Sequence, residues 1–250
     1  MSGFLTDCIS RPQASSSLEV HLLGAVDFDS AVFLQERLLY EISERTDTQG
    51  GLLLCEHPPI ITIGREGSSS HILADEQELI SRQIEVRWLN RGGGCIVHAP
   101  GQLAVYPVVP LGRLQLGLEQ YRARLERSVM DVCSELHVPA HRRRDKPGVW
   151  CRGGKFTDLG IAVRSWVAYH GMYINVAPAM EVLELVESRS AGSVDRVTSL
   201  AATRVRRVPM HVVREGIVRH LARQLGYERY HVYTGHPLLK RTTRRVYVNA

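Results

Sequence analysis

The segment LNRGGGCIVHAPGQLAVYPVV, residues 89–109, places three consecutive glycines, a cysteine, a histidine and a Pro-Gly turn between two apolar runs. Glycine has no side chain, so the backbone at 92–94 can pass close to another group. Arg91 adds a forked cation, and His98 adds a side chain that titrates near neutral pH. The pattern fits a tight turn beside a core histidine, or a loop that holds a thioester arm or an acyl chain. It does not fit a nucleotide-phosphate loop, because no Lys-Ser/Thr pair follows the glycines.

The periodicity of apolar residues on both sides of this segment predicts an α+β fold, with a mixed or antiparallel sheet flanked by helices. Asp29 is the expected cap of the first helix. A Gly turn at 152–154 is expected to join two strands as a hairpin. The predicted strands lie within 18–26, 50–65, 84–89, 103–111 and 148–176, and the predicted helices lie within 30–45, 75–83, 117–138 and 209–226.

Composition indicates one folded domain with two appendages. The chain has 250 residues, of which 44% are hydrophobic and 23% are charged, so it is long and apolar enough to bury a core. We expect a flexible lead-in at 1–17, a domain at 18–226 and a basic tail at 227–250. Apolar runs stay well below the length of a membrane-spanning helix, and the first residues lack the pattern of a secretory signal.

Cysteine usage favours a reducing compartment. The five cysteines are widely spaced and odd in number, which argues against a disulfide framework and for the cytoplasm. No Cys-x-x-Cys pair occurs, so a structural zinc site is not expected. We expect neither a metal nor a cofactor.

The net charge is +5, and much of the excess lies in the clusters HRRRDK (141–146), RVRR (204–207) and KRTTRR (240–245). Such clusters are either solvated surface or a surface that attracts an acidic partner. Because the sequence carries no recognised nucleic-acid motif, we expect no nucleic-acid partner.

A second candidate site lies in GGKFTDLGI, residues 153–161. Lys155 follows a Gly turn and precedes an apolar strand. Most lysines are simply solvated, but a lysine held against an apolar wall can lose its proton and act as a base. Farther on, AYHGMYIN (168–175) contains a His-Gly step that interrupts a strand.

Three segments, taken together and in this order, resemble the lipoyl(octanoyl) transferase family. LLLCEHPPIITIGR (52–65) resembles its Glu-His-Pro-Pro segment, and RGGGCIVHAPGQL (91–103) resembles its Arg-Gly-Gly…His-x-Pro-Gly-Gln signature. PGVWCRGGKFTDLGIAVRSWVAYHGMYINV (147–176) resembles its Gly-Val-Trp…Lys…His-Gly block. The resemblance covers about residues 18–225.

The resemblance implies a fold similar to the catalytic domain of biotin and lipoate protein ligases. It implies transfer of an octanoyl or lipoyl group from acyl carrier protein to a lysine of a lipoyl domain, in 2-oxoacid dehydrogenase complexes or the glycine cleavage H protein. In that family a cysteine holds the acyl group and a lysine, here Lys155, serves as acid and base. The implied substrate-binding residues are Arg91, Gly92, Gly93, Gly94, Cys95, Ile96, Val97, His98, Asp158, Leu159, Gly160, Gly171, Met172 and Tyr173.

The sequence departs from the family at the nucleophile. The family's cysteine lies about seven residues before a Val-Thr-Ser-Leu segment, which here is VTSL at 197–200, and that position is Ser190. Ile96 and Ala99 also stand where the family usually has Thr and Gly. Ser190 paired with Lys155 is one candidate nucleophile, and Cys95 or Cys151 supplies the thiol in the alternative.

Two further functions remain open at this point. The chain could be a non-catalytic homologue that binds lipoyl domains or acyl carrier protein. More weakly, it could be an ATP-dependent ligase of the lipoate or biotin type, since the implied fold is shared. The sequence leaves the acyl chain length and the oligomeric state undetermined.

Overall fold

The computed structural model describes residues 17–190, 192–203 and 208–239. Most of the predicted lead-in and the basic clusters at 204–207 and 240–245 lie outside these ranges, as does the side chain of Ser190. The strands are β1 Ser17–Ala25, β2 Gly50–Glu56, β3 Ile60–Ile63, β4 Glu85–Trp88, β5 Cys95–His98, β6 Gln102–Pro110, β7 Ala140–His141, β8 Val149–Cys151, β9 Gly154–Arg164, β10 Val167–Asn175, β11 Arg189–Ser190, β12 Ser193–Val194 and β13 Arg229–Thr234. The helices are α1 Phe28–Glu44, α2 Glu76–Ser81, α3 Leu118–Glu135, α4 Met180–Leu183 and α5 Met210–Leu225.

A large mixed sheet organises the fold, in the strand order β13-β1-β2-β6-β10-β9-β8-β7. β1 pairs in parallel with β13 and β2, and the other neighbours pair antiparallel. The predicted α+β class with a mixed sheet flanked by helices is therefore confirmed. The hairpin predicted at 152–154 is also present, since β8 ends at Cys151 and β9 begins at Gly154.

The two faces of this sheet are covered differently. On one face, α3 and α5 pack against each other and against the sheet, with residues such as Leu125 and Leu221 in the main apolar core. On the other face, α1 places Ala31 and Leu34 against Tyr106 and Tyr173 of the central strands. The candidate site lies on this second face.

Helix α1 begins two residues earlier than the sequence suggested. Asp27, not Asp29, is its N-cap, and its carboxylate accepts a hydrogen bond from the backbone N–H of Ser30 at 2.8 Å. Either aspartate could cap the helix by the usual rule. Phe28 is buried, so extending the helix to include it adds an apolar residue to the buried face, and Asp29 instead lies in the first turn.

A small sheet, β4-β3-β5, holds the glycine-rich loop. β3 runs between its two partners, parallel to β4 and antiparallel to β5. The loop at 89–94 connects β4 to β5. Both ends of the loop are therefore held by strands of the same small sheet.

The C-terminal strand extends the sheet beyond the predicted domain boundary at 226. α5 ends at Gly226, whose φ of +83° gives the left-handed cap that terminates many helices. The chain then pairs with β1 as β13, from Ser17 opposite Arg229. The residues that follow the helix are thus part of the sheet as far as Thr234.

None of the helices in the described ranges is both long and apolar enough to cross a bilayer.

Candidate active site

A β-bulge places Lys155 and Asp158 on the same face of the sheet. Val149 pairs with Thr157 and Trp150 pairs with Lys155, so β9 carries one residue more than β8 between these pairs. On a regular strand, side chains three residues apart point to opposite faces of the sheet. The extra residue of the bulge puts the side chains of Lys155 and Asp158 on the same face. Lys155 Nζ accordingly lies 2.6 Å from Asp158 Oδ1.

A second carboxylate approaches Lys155 from the segment before VTSL. Lys155 N–H donates to the carbonyl of Arg196 at 2.7 Å, and its carbonyl accepts from Thr198 N–H at 2.9 Å, so this segment runs beside β9. Asp195 then lies with its Oδ2 3.9 Å from Lys155 Nζ. The side chains of Lys155 and Asp195 are only 4% and 3% exposed.

Lys146 completes a row of alternating charges. Its Nζ lies 3.0 Å from Asp195 Oδ1 and also donates a short hydrogen bond to the hydroxyl of Ser193. We call Lys146, Asp195, Lys155 and Asp158 the charged cluster. Because both signs alternate, each buried charge has an opposite charge beside it, which is the condition for burying ionised groups.

The glycine-rich loop crosses directly over β9. Gly92 N–H donates to the carbonyl of Ile161 at 2.8 Å. A Cβ on Gly93, whose φ is +76°, would lie 2.8 Å from the carbonyl oxygen of Leu159. Because these glycines have no side chains, the backbone of the loop can contact β9 closely. The loop and the strand that carries Lys155 are therefore brought together.

Arg91 is fully buried beneath this loop. Its Nη1 donates to the carbonyl of Gly92 at 2.9 Å, and its Nη2 donates to the carbonyl and hydroxyl of Thr62 at 3.0 and 2.7 Å. A Cβ on Gly160 would lie 2.7 Å from Arg91 Cδ, so the side chain packs on bare backbone there. The guanidinium is thus held by the protein and forms part of the wall of the site.

A directed series of hydrogen bonds links Arg91 to the VTSL segment. Gln102 Nε2 donates to the carbonyl of Val97 and to Asn175 Oδ1, both at 2.9 Å, so its Oε1 must face His98 Nδ1 at 3.0 Å. Asn175 Nδ2 in turn donates to the carbonyl of Thr198 at 3.2 Å. We call Arg91, Thr62, His98, Gln102 and Asn175 the buried polar chain.

The buried polar chain fixes the state of His98. Since Nδ1 must donate to Gln102, Nε2 carries a lone pair and accepts from the Thr62 hydroxyl at 2.9 Å. Burial, with His57 and the Arg91 cation nearby, holds the pKa of His98 well below its usual range. His98 is therefore neutral, and both ring nitrogens are used inside the protein. The sequence suggested a donor that titrates near neutral pH, and the structure differs on this point.

Two more histidines are buried as neutral rings. His57 Nδ1 donates to the carbonyl of Val26 and its Nε2 accepts from the Tyr106 hydroxyl, each at 2.8 Å. Burial lowers the pKa of His57 to about 4. Burial, together with Arg91 and Arg65, lowers the pKa of His170 to about 3.

An apolar and aromatic wall adjoins the buried polar chain. The ring of Tyr173 lies 4.6 Å from that of His98 and 5.8 Å from that of Tyr106, measured between centroids. Ile96 and Ala104 pack in the same cluster. Ile96, which replaces the family's usual Thr, thus adds apolar surface to this wall.

The other predicted binding residues divide between the two faces. Asp158 is paired with Tyr173, and Gly160 is paired with Gly171, on adjacent strands. Leu159 and Met172 bury their side chains in the main core on the opposite face. Only the backbone of these last two residues is available to the site.

The cysteines in the described part of the chain are all buried. Cys151 belongs to the main core, on the face opposite Lys155, together with Cys133. Cys95 packs with Ile61 and Ile63, and its Sγ donates to the carbonyl of Ser68 at 3.2 Å. Burial raises the pKa of each of the thiols of Cys55, Cys95 and Cys133. None of these thiols is placed or polarised as an activated nucleophile would be.

Ser190 lies on a short hairpin between the loop and the charged cluster. β11 and β12 pair Ser190 with Ser193, and Asp195 N–H donates to the carbonyl of Ser188 at 2.8 Å. At the other side, a Cβ on Gly94 would lie 3.7 Å from the carbonyl oxygen of Arg189. The backbone thus brings position 190 to the site, although its side chain lies outside the described structure.

Sequence reasoning did not find Asp195, Lys146, Thr62, Gln102 or Asn175. Each is an ordinary polar residue in its own segment, and its role comes from contacts with residues far along the chain. Two signals were available: Asp195 lies two residues before VTSL, and Gln102 belongs to the Pro-Gly-Gln step.

Comparison with known proteins identifies the family. The model of the lipoyl protein ligase A/B catalytic domain matches residues 27–222. A protein of Geobacter metallireducens named octanoyltransferase is 38% identical over 199 residues, covering 78% of this chain and 87% of the relative. An octanoyltransferase of Geotalea uraniireducens is 42% identical over 154 residues, covering 62% and 68%. The chain belongs to the lipoyl protein ligase A/B catalytic domain family.

Solved structures show the same fold at lower identity. The T. acidophilum protein Ta0514 with bound lipoic acid has a TM-score of 0.68 and 15% identity, covering 90% of this chain and 91% of that chain. A lipoate-protein ligase A bound with ATP has a TM-score of 0.68 and 16% identity, covering 90% of each chain. At such identity the likeness establishes the fold, and the site residues must establish the chemistry.

The buried polar chain should contribute measurably to stability. Thr62→Val removes the hydroxyl and leaves Arg91 Nη2 and His98 Nε2 without that partner, which costs about 1–3 kcal/mol for each buried group left unpaired. Thr157→Val is the matched control, because its buried hydroxyl has no hydrogen-bond partner in the described structure. We expect a large loss of the free energy of unfolding in urea for the first variant and a change within about 0.5 kcal/mol for the second. Equal effects would contradict the assignment.

The three neutral histidines predict a loss of stability in weak acid. Their pKa values are lower in the folded state than in the unfolded state, so acid protonates the unfolded chain first. Stability is therefore complete above about pH 6.5 and falls as the pH drops toward 4, by about 1.4 kcal/mol per pH unit for each histidine. We expect urea midpoints to decrease between pH 7 and 5. His170→Asn, which tolerates the φ of +55° at this position, should reduce that slope. A flat profile would refute the prediction.

Proposed function

We propose that this protein is an octanoyltransferase that moves an octanoyl group from acyl carrier protein to a lysine of a lipoyl domain. The observation that carries the proposal is the similarity to octanoyltransferases over most of the chain. It is combined with contacts among the three motif segments, since Thr62 is bonded to Arg91 and the glycine-rich loop lies against the strand that carries Lys155. The acceptors we propose are the lipoyl domains of 2-oxoacid dehydrogenase complexes and the glycine cleavage H protein.

Lys155 is the residue we assign to proton transfer. It is buried and lies within 4 Å of two carboxylates, Asp158 at 2.6 Å and Asp195 at 3.9 Å. Its ammonium can therefore be held in one position at the site. There it can stabilise negative charge on the thioester oxygen and supply a proton to the departing sulfur.

The loop from Arg91 to His98 is the part we assign to the acyl group. Its backbone lies over β9 and leaves no side chain at the three glycines, while Ile96 and Tyr173 contribute apolar surface behind it. A saturated acyl chain needs such surface, because it gains its binding energy by leaving water. A non-catalytic homologue would not need a buried lysine between two carboxylates, so we favour the enzyme.

The basic cluster at 141–146 is the surface we assign to partner binding. Arg142 is committed to an internal salt bridge with the buried Glu126, at 2.9 Å. Arg143 and Arg144 are exposed, and the Arg143 guanidinium lies 5.1 Å from the centre of the Trp150 ring. Lys155 Nζ lies 5.7 Å from the same ring, so the exposed arginines adjoin the site.

We also place the protein in the cytoplasm. The cysteines in the described ranges are all free and buried, as expected for a protein that remains in a reducing environment.

A pair of variants tests the function. Lys155→Arg keeps a cation between Asp158 and Asp195 but puts a guanidinium, which does not release its proton, in place of the proposed proton donor, so kcat for octanoyl transfer should fall about 10²–10⁴-fold. Arg37→Lys, at an exposed salt bridge with Glu41 on α1, is the control and should stay within a few-fold of the parent. The assay follows octanoylation of a purified lipoyl domain by mass spectrometry, with octanoyl-acyl carrier protein as donor. Transfer that needs ATP and free octanoate instead would contradict the proposal.

The partner surface predicts a salt-sensitive encounter. Acyl carrier proteins and many lipoyl domains are acidic, and attraction between exposed charges weakens as ionic strength rises. Replacing Arg143 and Arg144 by alanine should raise KM for the donor several-fold at low salt and remove most of the salt dependence. Arg37→Ala on α1, an exposed arginine paired with Glu41, is the control and should leave KM unchanged. A parent enzyme whose KM is insensitive to salt would refute the prediction.

A further inference from the structure

The buried carboxylate of Asp195 has one oxygen in a salt bridge and one oxygen that makes no hydrogen bond within the described residues. Its Oδ1 lies 3.0 Å from Lys146 Nζ. Its Oδ2 is buried, makes no hydrogen bond within the described residues, and lies 3.9 Å from Lys155 Nζ. A buried oxygen without a hydrogen bond is costly, so its retention beside the proposed acid calls for a functional explanation.

Formation of an amide from a thioester and an amine requires two proton transfers. The amine must lose a proton to a base once it attacks, and the departing sulfur must gain a proton from an acid. The charged cluster offers one group for each task. Asp195 Oδ2 can accept a proton, and Lys155, salt-bridged to Asp158, can donate one.

The same cluster is poorly suited to activating a nucleophile on the enzyme. A serine hydroxyl binds its proton far more tightly than a thiol, so it needs a strong base such as a neutral lysine. Lys155 instead makes salt bridges as an ammonium with Asp158 and Asp195. An amine that has attacked a carbonyl carries a positive charge, and a carboxylate is a sufficient base for its proton. The thiols of the described residues are buried in the apolar clusters.

We propose that acyl transfer in this protein takes place in one chemical step, directly from the donor thioester to the acceptor amine, with Asp195 as the proton acceptor and Lys155 as the proton donor. This inference rests on the proposed octanoyl transfer. It requires donor and acceptor to be bound together, and it forms no acyl-enzyme at Ser190 or at a cysteine.

The step balances without any further reactant. The acceptor lysine, having released one proton to solvent, attacks the thioester carbon as a neutral amine, and a C–N bond forms. The C–S bond breaks and the sulfur takes a proton from the Lys155 ammonium, while the nitrogen passes a proton to Asp195 Oδ2. Proton transfer from Asp195 to Lys155 over the gap between them then restores both groups. The products are the amide and the free thiol.

The decisive experiment is intact-mass analysis of the wild-type protein with octanoyl-acyl carrier protein alone, followed by initial-rate kinetics with both substrates varied. We expect no octanoyl mass on the enzyme and intersecting double-reciprocal lines. An octanoyl adduct on Ser190, or parallel lines, would overturn the one-step inference and leave the proposed function intact. Absence of octanoyl transfer under all conditions would overturn both.

Variants give an independent test. Ser190→Ala should keep kcat within about threefold, whereas a loss of more than about 100-fold would overturn the inference. Asp195→Asn should lower kcat about 10²–10⁴-fold with little change in the donor KM. Asp131→Asn is the control and should retain parental activity, because Asp131 lies on α3 and makes its salt bridge with Arg223.

Discussion

A guanidinium that is fully buried must find its hydrogen-bond acceptors inside the protein, and Arg91 imposes this requirement on the site. It makes no salt bridge within the described residues, so it depends on neutral oxygens. Thr62 supplies two of them, and its hydroxyl can accept from Arg91 only because it donates to His98. His98 can accept only because Gln102 takes the proton of its other nitrogen. One buried cation thus determines the direction of the Thr62 hydroxyl, the tautomer of His98 and the amide orientation of Gln102. These three residues lie on three separate strands.

The buried polar chain and the charged cluster meet at one short segment. Thr198 accepts from Asn175 through its carbonyl and donates through its N–H to the carbonyl of Lys155. Asp195 lies three residues earlier on the same segment. The relative position of the proposed acid and the proposed base is therefore set by the backbone hydrogen bonds of Lys155 with Arg196 and Thr198. A change at any of these contacts should alter the distance between Asp195 and Lys155, even if it lies far from the substrate.

The sequence predicted the elements more completely than the contacts between them. Helices and central strands follow from periodicity, since burying one face requires apolar residues at regular spacing, and the glycine loop and Lys155 stand out by their composition. The bulge at Phe156 could not be predicted, because it arises from a register between β8 and β9. The same is true of Asp195, whose burial depends on Lys146 and Lys155. His98 was misjudged because its state depends on Thr62, which lies 36 residues earlier in the chain, as well as on Gln102. The strand β13 was missed because its six residues are all exposed and lack an alternating pattern.

The fold itself does not decide between a thioester donor and an adenylate donor, since a lipoate-protein ligase bound with ATP has the same architecture. What distinguishes the two chemistries is the group that leaves when the amine attacks. A thiolate leaves as a basic anion and benefits from a proton donor beside it, whereas a nucleotide phosphate leaves already stabilised as a weak base. In this chain a lysine is buried between two carboxylates, Asp158 on its own strand and Asp195 on the segment that follows position 190. Such a lysine can protonate a departing sulfur, and the fold supplies the rigid backbone contacts that hold it there.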